Sequence, residues 1–241
     1  PKNILPLQLG YSSSGEVVQT GKGVSDFHTG DKVVSNGNHA EYVVVNQNLC
    51  TRIPDNTDIK EASFTVLGSI ALHGLRLSET SLGSKVVVIG LGIIGQLVCR
   101  LAEAQGSEVI GIDPDTKRTD LSANFYTSVE EANMTNVDSV IITAATSSNE
   151  PIEVATKIAR NKAKIVVVGD IPLNISRNDF YYKELELVVS KSYGPGRYDK
   201  QYEILGKDYP IEYVRWTENR NFEAFIKLLS QNQIHLLDLV T

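Results

Sequence analysis

The run KVVVIGLGIIGQLVCRLAEA occupies residues 85–104 and changes its hydrophobic period in the middle. Lys85 to Ile89 is a continuous β-branched run, the pattern of a strand buried on both faces. Ile94 to Ala104 carries apolar residues at helical spacing and ends before Gly106. Between them lies Gly90-Leu91-Gly92-Ile93-Ile94-Gly95. Glycine at the first position permits a tight turn, the second lets backbone approach a pyrophosphate, and the third lets helix and strand pack closely. The N-terminus of the helix then offers unpaired N–H groups and a dipole to negative charge. Asp113 closes the next apolar strand, Glu108 to Ile112, at the roughly 20-residue spacing where a dinucleotide fingerprint places an acid. A carboxylate there accepts hydrogen bonds from ribose hydroxyls and repels a 2′-phosphate, so NAD is expected rather than NADP. Lys117 and Arg118 follow closely and could accommodate that phosphate, which keeps NADP open. A glycine-rich structural turn that binds nothing is the plainer alternative.

Outward from this unit, strands and helices alternate at βαβ spacing. Ser139 to Thr143, Lys164 to Val168 and Leu185 to Val189 read as strands, and Pro151 to Arg160 as a helix with proline at its start. Residues 192–216 read as irregular and tyrosine-rich, and Asn221 to Gln231 as an amphipathic helix. Toward the N-terminus, glycines separate short β-branched runs: Gly15 to Val18, Asp31 to Val34 and, most clearly, Ala40 to Val45. Helical spacing begins at Ser63 and runs to Glu79. The fold class expected is α/β: a Rossmann doubly wound parallel sheet over residues 63–241, with its C-terminal helix, plus a small β-rich domain over residues 1–62.

With 23 Lys and Arg against 29 Asp and Glu, the net charge of −6 offers no broad electrostatic footprint for nucleic acid or anionic lipid. The longest apolar run stops at Gln96, well short of the roughly 20 residues of a membrane span. No leader pattern is visible in PKNILPLQLG. Two cysteines, Cys50 and Cys99, match neither a disulfide framework nor a zinc ribbon, so a reducing cytoplasm is expected.

Gly30-Asp-Lys-Val33, His39-Ala-Glu-Tyr-Val43, Ile53-Pro-Asp55 and Leu67-Gly-Ser-Ile-Ala-Leu-His-Gly74, followed by the glycine fingerprint, resemble the medium-chain dehydrogenase/reductase superfamily, the zinc-type alcohol dehydrogenases. The resemblance covers nearly the whole chain. It implies that the β-rich part is a partial GroES-like catalytic domain, and the chain looks trimmed at both ends relative to the family. Residues 192–199 with 213–218 resemble a subgroup found fused to glucose-fructose-oxidoreductase-type domains. The family's Gly-His-Glu, which supplies a zinc ligand, is replaced by Gly10-Tyr11-Ser12, and Thr65 stands where a later ligand would sit. Zinc takes N, S or carboxylate donors, so no catalytic zinc and no other metal is expected.

The resemblance also implies where chemistry would sit. Ser69 falls where members place a hydroxyl near the nicotinamide, and His73 lies one helical turn further on the same face. Tyr11, at the lost metal position, could donate its phenol to a carbonyl oxygen. Packing roles alone are the alternative for all three. Gly90, Leu91, Gly92, Ile93, Ile94, Gly95, Asp113 and Arg118 would hold the cofactor, with Ala144 and Ala145 on its adenosine side and Val168, Gly169 and Asp170 beside the carboxamide. The active site is expected in a cleft between the β-rich part and the sheet. The clustered tyrosines, Tyr181 to Tyr213, could stack on sugar rings or serve as core and interface residues. The function implied is NAD(H)-dependent alcohol/carbonyl oxidoreduction, zinc-independent, on a small polar or sugar-like substrate, in a homodimer. The alternative is a catalytically silent dinucleotide-binding module acting as a sensor or as the scaffold half of a fusion.

Overall fold

The structure is a computed structural model that describes residues 9–119 and 124–240. Residues 1–8, most of the stretch searched for a leader, lie outside the described residues. In chain order the elements are β1 (Ser13–Glu16), β2 (Lys32–Ser35), β3 (Cys50–Arg52), α1 (Ile59–Ala62), α2 (Thr65–Leu77), β4 (Lys85–Ile89), α3 (Ile93–Ala104), β5 (Glu108–Ile112), α4 (Thr116–Thr119) and β6 (Phe125–Tyr126). There follow α5 (Val129–Ala132), β7 (Val137–Ile142), α6 (Glu150–Ile158), β8 (Ala159–Val167), α7 (Arg177–Lys183), β9 (Glu186–Val189), α8 (Lys200–Glu203) and α9 (Glu218–Ser230). By their contacts, residues 70–192 form one compact unit, and residues 1–69 with 193–241 form another.

The unit of residues 70–192 holds a six-stranded parallel sheet in the order β6-β5-β4-β7-β8-β9. That is the doubly wound order, with β4 at the position where the winding reverses. The expected strand Lys85 to Ile89 is present, and Val86, Val87 and Val88 are each at most 1% exposed, as two-sided burial of a central strand requires. Val87, Ile110, Val140, Ile142, Ile152 and Ile165 belong to one apolar core. β8 starts earlier than the pattern suggested. The chain leaves α6 at Ile158 and enters the strand at Ala159, and the β7–β8 register shifts between Val137 and Ser139. Lys183 crosses to the C-terminal end of α6, where Nζ donates to the carbonyls of Thr156 (2.8 Å), Lys157 (2.9 Å) and Ala159 (2.8 Å). Helix C-termini leave such carbonyls without intrahelical partners, and a cation suits the negative end of the dipole.

The other unit carries the antiparallel sheet β1-β2-β3, with Ser13 opposite Ser35 and Val33 opposite Arg52. Ser12 Oγ donates to the Ser63 carbonyl and Ser14 Oγ to that of Ile59, tying the start of the sheet to α1. Ala40 to Val45, expected as the clearest strand, is not one. Tyr42 is 71% exposed and Val44 fully so, and no described strand lies beside them. β-Branched composition fits a residue to a pleated, paired surface, and without a partner strand it does not create one.

The C-terminal helix groups with residues 1–69, whereas its sequence had placed it with the parallel sheet. Asn219 Nδ2 donates to the carbonyls of Asn48 (3.1 Å) and Cys50 (2.9 Å), Asn48 Nδ2 to Tyr202 (2.8 Å), and Asn56 Nδ2 to Ser230 (2.7 Å). The Leu236 amide donates to the buried Glu61 carboxylate. Periodicity reveals that α9 has an apolar face, bearing Phe222, Phe225 and Leu229, but not which surface that face will meet.

Candidate functional site

The carboxyl ends of β4, β5, β7 and β8 carry nearly all the residues assigned to cofactor binding. β4 ends at Ile89, and Gly90 turns the chain with φ +99°. A Cβ at Gly90 would lie 2.6 Å from the Ala144 nitrogen, so both conformation and space require glycine. A Cβ at Gly95 would lie 1.9 Å from the Gly90 carbonyl oxygen, which fixes how closely α3 returns to the turn. Gly92 differs from both. Its backbone is open to any residue (φ −63°, ψ −175°), and a Cβ there would meet nothing within 4 Å. Nothing in the folded unit asks for glycine at this position, whereas a pyrophosphate drawn up against the backbone would.

Gly92 is also the N-cap of α3 and supplies no side-chain cap. The Gln96 amide donates to the Gly92 carbonyl, 3.0 Å, opening the helical ladder, so the amides of the first turn precede it. Ile93 is 36% exposed, Ile94 is half-buried and Leu91 is fully buried, so the side chains of the loop face differently while its backbone remains approachable. The combination of open space at Gly92 and the positive end of a 12-residue helix fits a dinucleotide pyrophosphate.

Asp113 closes β5 and is 3% exposed. Its Oδ2 accepts from the Leu91 amide (2.7 Å) and from Arg118 Nη1 (3.1 Å), and its Oδ1 accepts from the Asp115 amide (2.9 Å). Arg118 reaches Asp115 as well, Nε to Oδ2, 3.5 Å. Ala144 stands against the Gly90 turn, and Gly169 is packed so near that a Cβ would lie 2.0 Å from the Ala144 carbonyl oxygen. The Thr146 amide donates to the Asp170 carbonyl, and Ala145 and Asp170 are exposed. Val168 packs against Gly74, where a Cβ would be 2.6 Å from its Cγ2. Gly74, the last residue of the Leu67–Gly74 motif, thus brings α2 against the end of β8, immediately after His73.

His73 is 9% exposed, and burial, reinforced by the Arg76 charge, lowers its pKa to about 4. It is neutral at physiological pH. Ser69 is fully buried and its Oγ donates to the Thr65 carbonyl, 2.8 Å. Thr65 is buried too, its hydroxyl donating to Ala62. Tyr11 is 52% exposed. Ser69, Thr65 and Tyr11 belong to the unit of residues 1–69 and 193–241. Among the described residues, no group of three or more His, Cys, Asp or Glu gathers that could hold a metal ion. Both thiols are buried, and desolvation raises that of Cys50 to about 12. No helix among the described residues is long and apolar enough to cross a membrane.

The tyrosines separate by role. Tyr193 and Tyr202 are core residues whose phenols burial raises to about 12, and Tyr209 stacks on Tyr202 at 5.4 Å. Tyr181, Tyr182, Tyr198 and Tyr213 are exposed.

Residues 1–55 match the alcohol dehydrogenase GroES-like domain, and residues 68–179 match the NAD binding domain of the D-isomer specific 2-hydroxyacid dehydrogenases. The chain thus joins an alcohol dehydrogenase GroES-like segment to an NAD-binding domain, and the relatives it matches are dehydrogenases. It is 26% identical over 251 residues to 2-dehydro-3-deoxy-L-galactonate 5-dehydrogenase of Pseudoalteromonas atlantica, an alignment covering 83% of this chain and 72% of that protein. It is 35% identical over 119 residues to D-guloside 3-dehydrogenase of Escherichia coli, covering 48% of this chain and 34% of the relative. The chain thus spans only part of the length of these relatives. Crystalline galactitol-1-phosphate dehydrogenase from Escherichia coli shares the fold, with a TM-score of 0.78 at 21% identity over 98% of this chain and 77% of that one.

Proposed function

We propose that this chain is an NAD-dependent dehydrogenase or reductase that works without catalytic zinc on a hydroxyl or carbonyl group of a small, sugar-derived substrate. The observation that carries the reading is the unfilled space at Gly92, at the helix N-terminus and next to Leu91, whose amide donates to the buried Asp113 carboxylate. The nicotinamide, when bound, accepts or returns hydride. The chain's own residues would bind and orient it. Gly90, Gly92 and Gly95 admit the pyrophosphate, with Leu91, Ile93 and Ile94 completing the loop. Ala144 and Ala145 flank the adenosine, and Val168, Gly169 and Asp170 the carboxamide. Asp113 favours free ribose hydroxyls over a 2′-phosphate. Arg118, already drawn onto Asp113 and Asp115, tempers that preference without reversing it.

For proton movement the candidates are His73, held neutral, and the hydroxyls of Ser69 and Tyr11. The zinc-free reading is supported by donor chemistry. A phenol at Tyr11 and a hydroxyl already committed at Thr65 are not usual zinc donors. The names of the two curated relatives, a deoxygalactonate and a guloside dehydrogenase, support a sugar-derived substrate. A homodimer formed along the edge of the parallel sheet completes the proposal, as does a cytoplasmic setting.

The test is a titration with NADH and NADPH followed by quenching of Trp216 emission, then a screen of polyols, sugar acids and glycosides with NAD⁺ after dialysis against a chelator. NADH binding tighter than NADPH, and turnover that survives chelation, are the expected results. Failure to bind either nucleotide would overturn the dehydrogenase reading, and turnover lost on chelation would overturn its zinc-free part.

A further inference from the structure

The Gly90–Leu91 peptide is gripped at both ends by side chains from the two strands that flank β4. Its carbonyl oxygen accepts from Thr143 Oγ1 at 2.5 Å, and its N–H donates to Asp113 Oδ2 at 2.7 Å. Asp113 closes β5 and Thr143 follows β7, the neighbours of β4 on either side. The next carbonyl, that of Leu91, accepts from Gln96 Nε2 at 3.1 Å. Backbone bonds alone do not fix this peptide. The Gly90 amide is bonded to the Ile112 carbonyl, 2.8 Å, but φ at Gly90 is +99°, a region where glycine has other conformations within easy reach. A flip of this peptide would exchange its two ends, turning the carbonyl oxygen onto the Asp113 carboxylate and displacing the backbone that leads to Gly92 and the α3 N-terminus.

Resting on the dinucleotide reading above, we propose that Thr143 is a positioning residue for the cofactor pyrophosphate. It and Asp113 form a two-sided clamp that locks the Gly90–Leu91 peptide, its oxygen seated between Thr143 and Gly95, and so holds the backbone that leads to Gly92. Thr143 touches no cofactor atom in this role. It acts through the Gly90 carbonyl, and Asp113 acts on loop geometry as well as on the ribose. Removing the Thr143 side of the clamp therefore weakens nucleotides that carry a diphosphate and spares those that lack one. It does so for NADH and NADPH alike.

The experiment compares wild type, Thr143→Val and Thr143→Ser, using fluorescence titration with NADH, ADP and adenosine at a temperature well below each unfolding midpoint. Valine keeps the branched shape and removes the donor. The expected result is a loss of roughly 2- to 10-fold in affinity for both NADH and ADP in the valine variant, the range set by the net worth of one hydrogen bond. Adenosine binding stays unchanged, and the serine variant returns to within about twofold of wild type. Equal affinities for ADP in all three proteins would overturn the clamp, as would parallel losses for ADP and adenosine, which mark a general loosening of the unit. Wild type that binds neither NADH nor ADP would remove the dinucleotide reading and the clamp together. Wild type that binds both, with no valine effect, removes the clamp alone.

Discussion

Gly92 and Gly95 stand three residues apart in one motif and are glycine for opposite reasons, which a pair of alanine variants separates. A Cβ at Gly95 meets the Gly90 carbonyl oxygen at 1.9 Å, so Gly95→Ala should lower the unfolding free energy by about 1–3 kcal/mol, the usual cost of overpacking. Gly92→Ala adds a Cβ where nothing lies within 4 Å, so its thermal midpoint should stay near wild type while NADH affinity falls at least tenfold, the added methyl occupying the phosphate's place. Thermal melts alongside NADH titrations of both variants check this, and undiminished binding by Gly92→Ala would sink it. His73 makes a second prediction at this scale. Its folded pKa of about 4 lies below the unfolded value of about 6.5, so between these limits the unfolded chain binds more protons. The stability contributed is complete above about pH 6.5 and is lost as pH falls toward 4, by up to about 3 kcal/mol. Denaturant unfolding at pH 7, 6, 5 and 4 should show that slope, and His73→Gln should flatten it. A slope identical in the variant would assign it to other groups. Of these residues the sequence had made the glycines and Asp113 legible, because the spacing of a dinucleotide fingerprint can be read along the chain. The engagement of the Ser69 hydroxyl by the Thr65 carbonyl was not legible, since it depends on a rotamer.

At the scale of elements, continuous β-branched runs gave strand positions correctly where a strand is buried on both faces. β4 and β5 occupy the spans expected. The pattern failed where pairing rather than composition decides. Ala40 to Val45 has strand composition and no partner strand, whereas β3 is a strand of only three residues because β2 lies beside it. The end of α6 shows the same dependence on distant chain. The Lys183 ammonium, 24 to 27 residues further on, satisfies three carbonyls there. Lys183→Met should keep the aliphatic stem and lower the unfolding free energy by about 1–2 kcal/mol, with cofactor affinity unchanged. Urea titration measures the first, and a wild-type midpoint in the variant would show that water serves those carbonyls equally well.

For the whole molecule, the parallel sheet ends at β9, which pairs with β8 and has no described strand on its outer side. An edge of this kind leaves N–H and C=O groups open to pairing, and Val189 on it is 61% exposed. If the proposed homodimer forms there, sedimentation should give twice the 26.4 kDa chain mass, and Val189→Lys should yield a monomer that still binds NADH. A wild-type monomer, or a lysine variant that remains dimeric, would remove this edge as the interface. The sequence by itself determined the doubly wound sheet, the glycine turn and the acid that follows β5, because each is a local pattern imposed by burial or by a ligand. Tertiary structure alone decided that residues 193–241 join residues 1–69, that Asp113 and Thr143 meet on one peptide, and that Gly74 admits Val168. Those pairings lie tens of residues or more apart along the chain. Hydrophobic period says which face of an element is buried, and only the assembled strands and helices say against what.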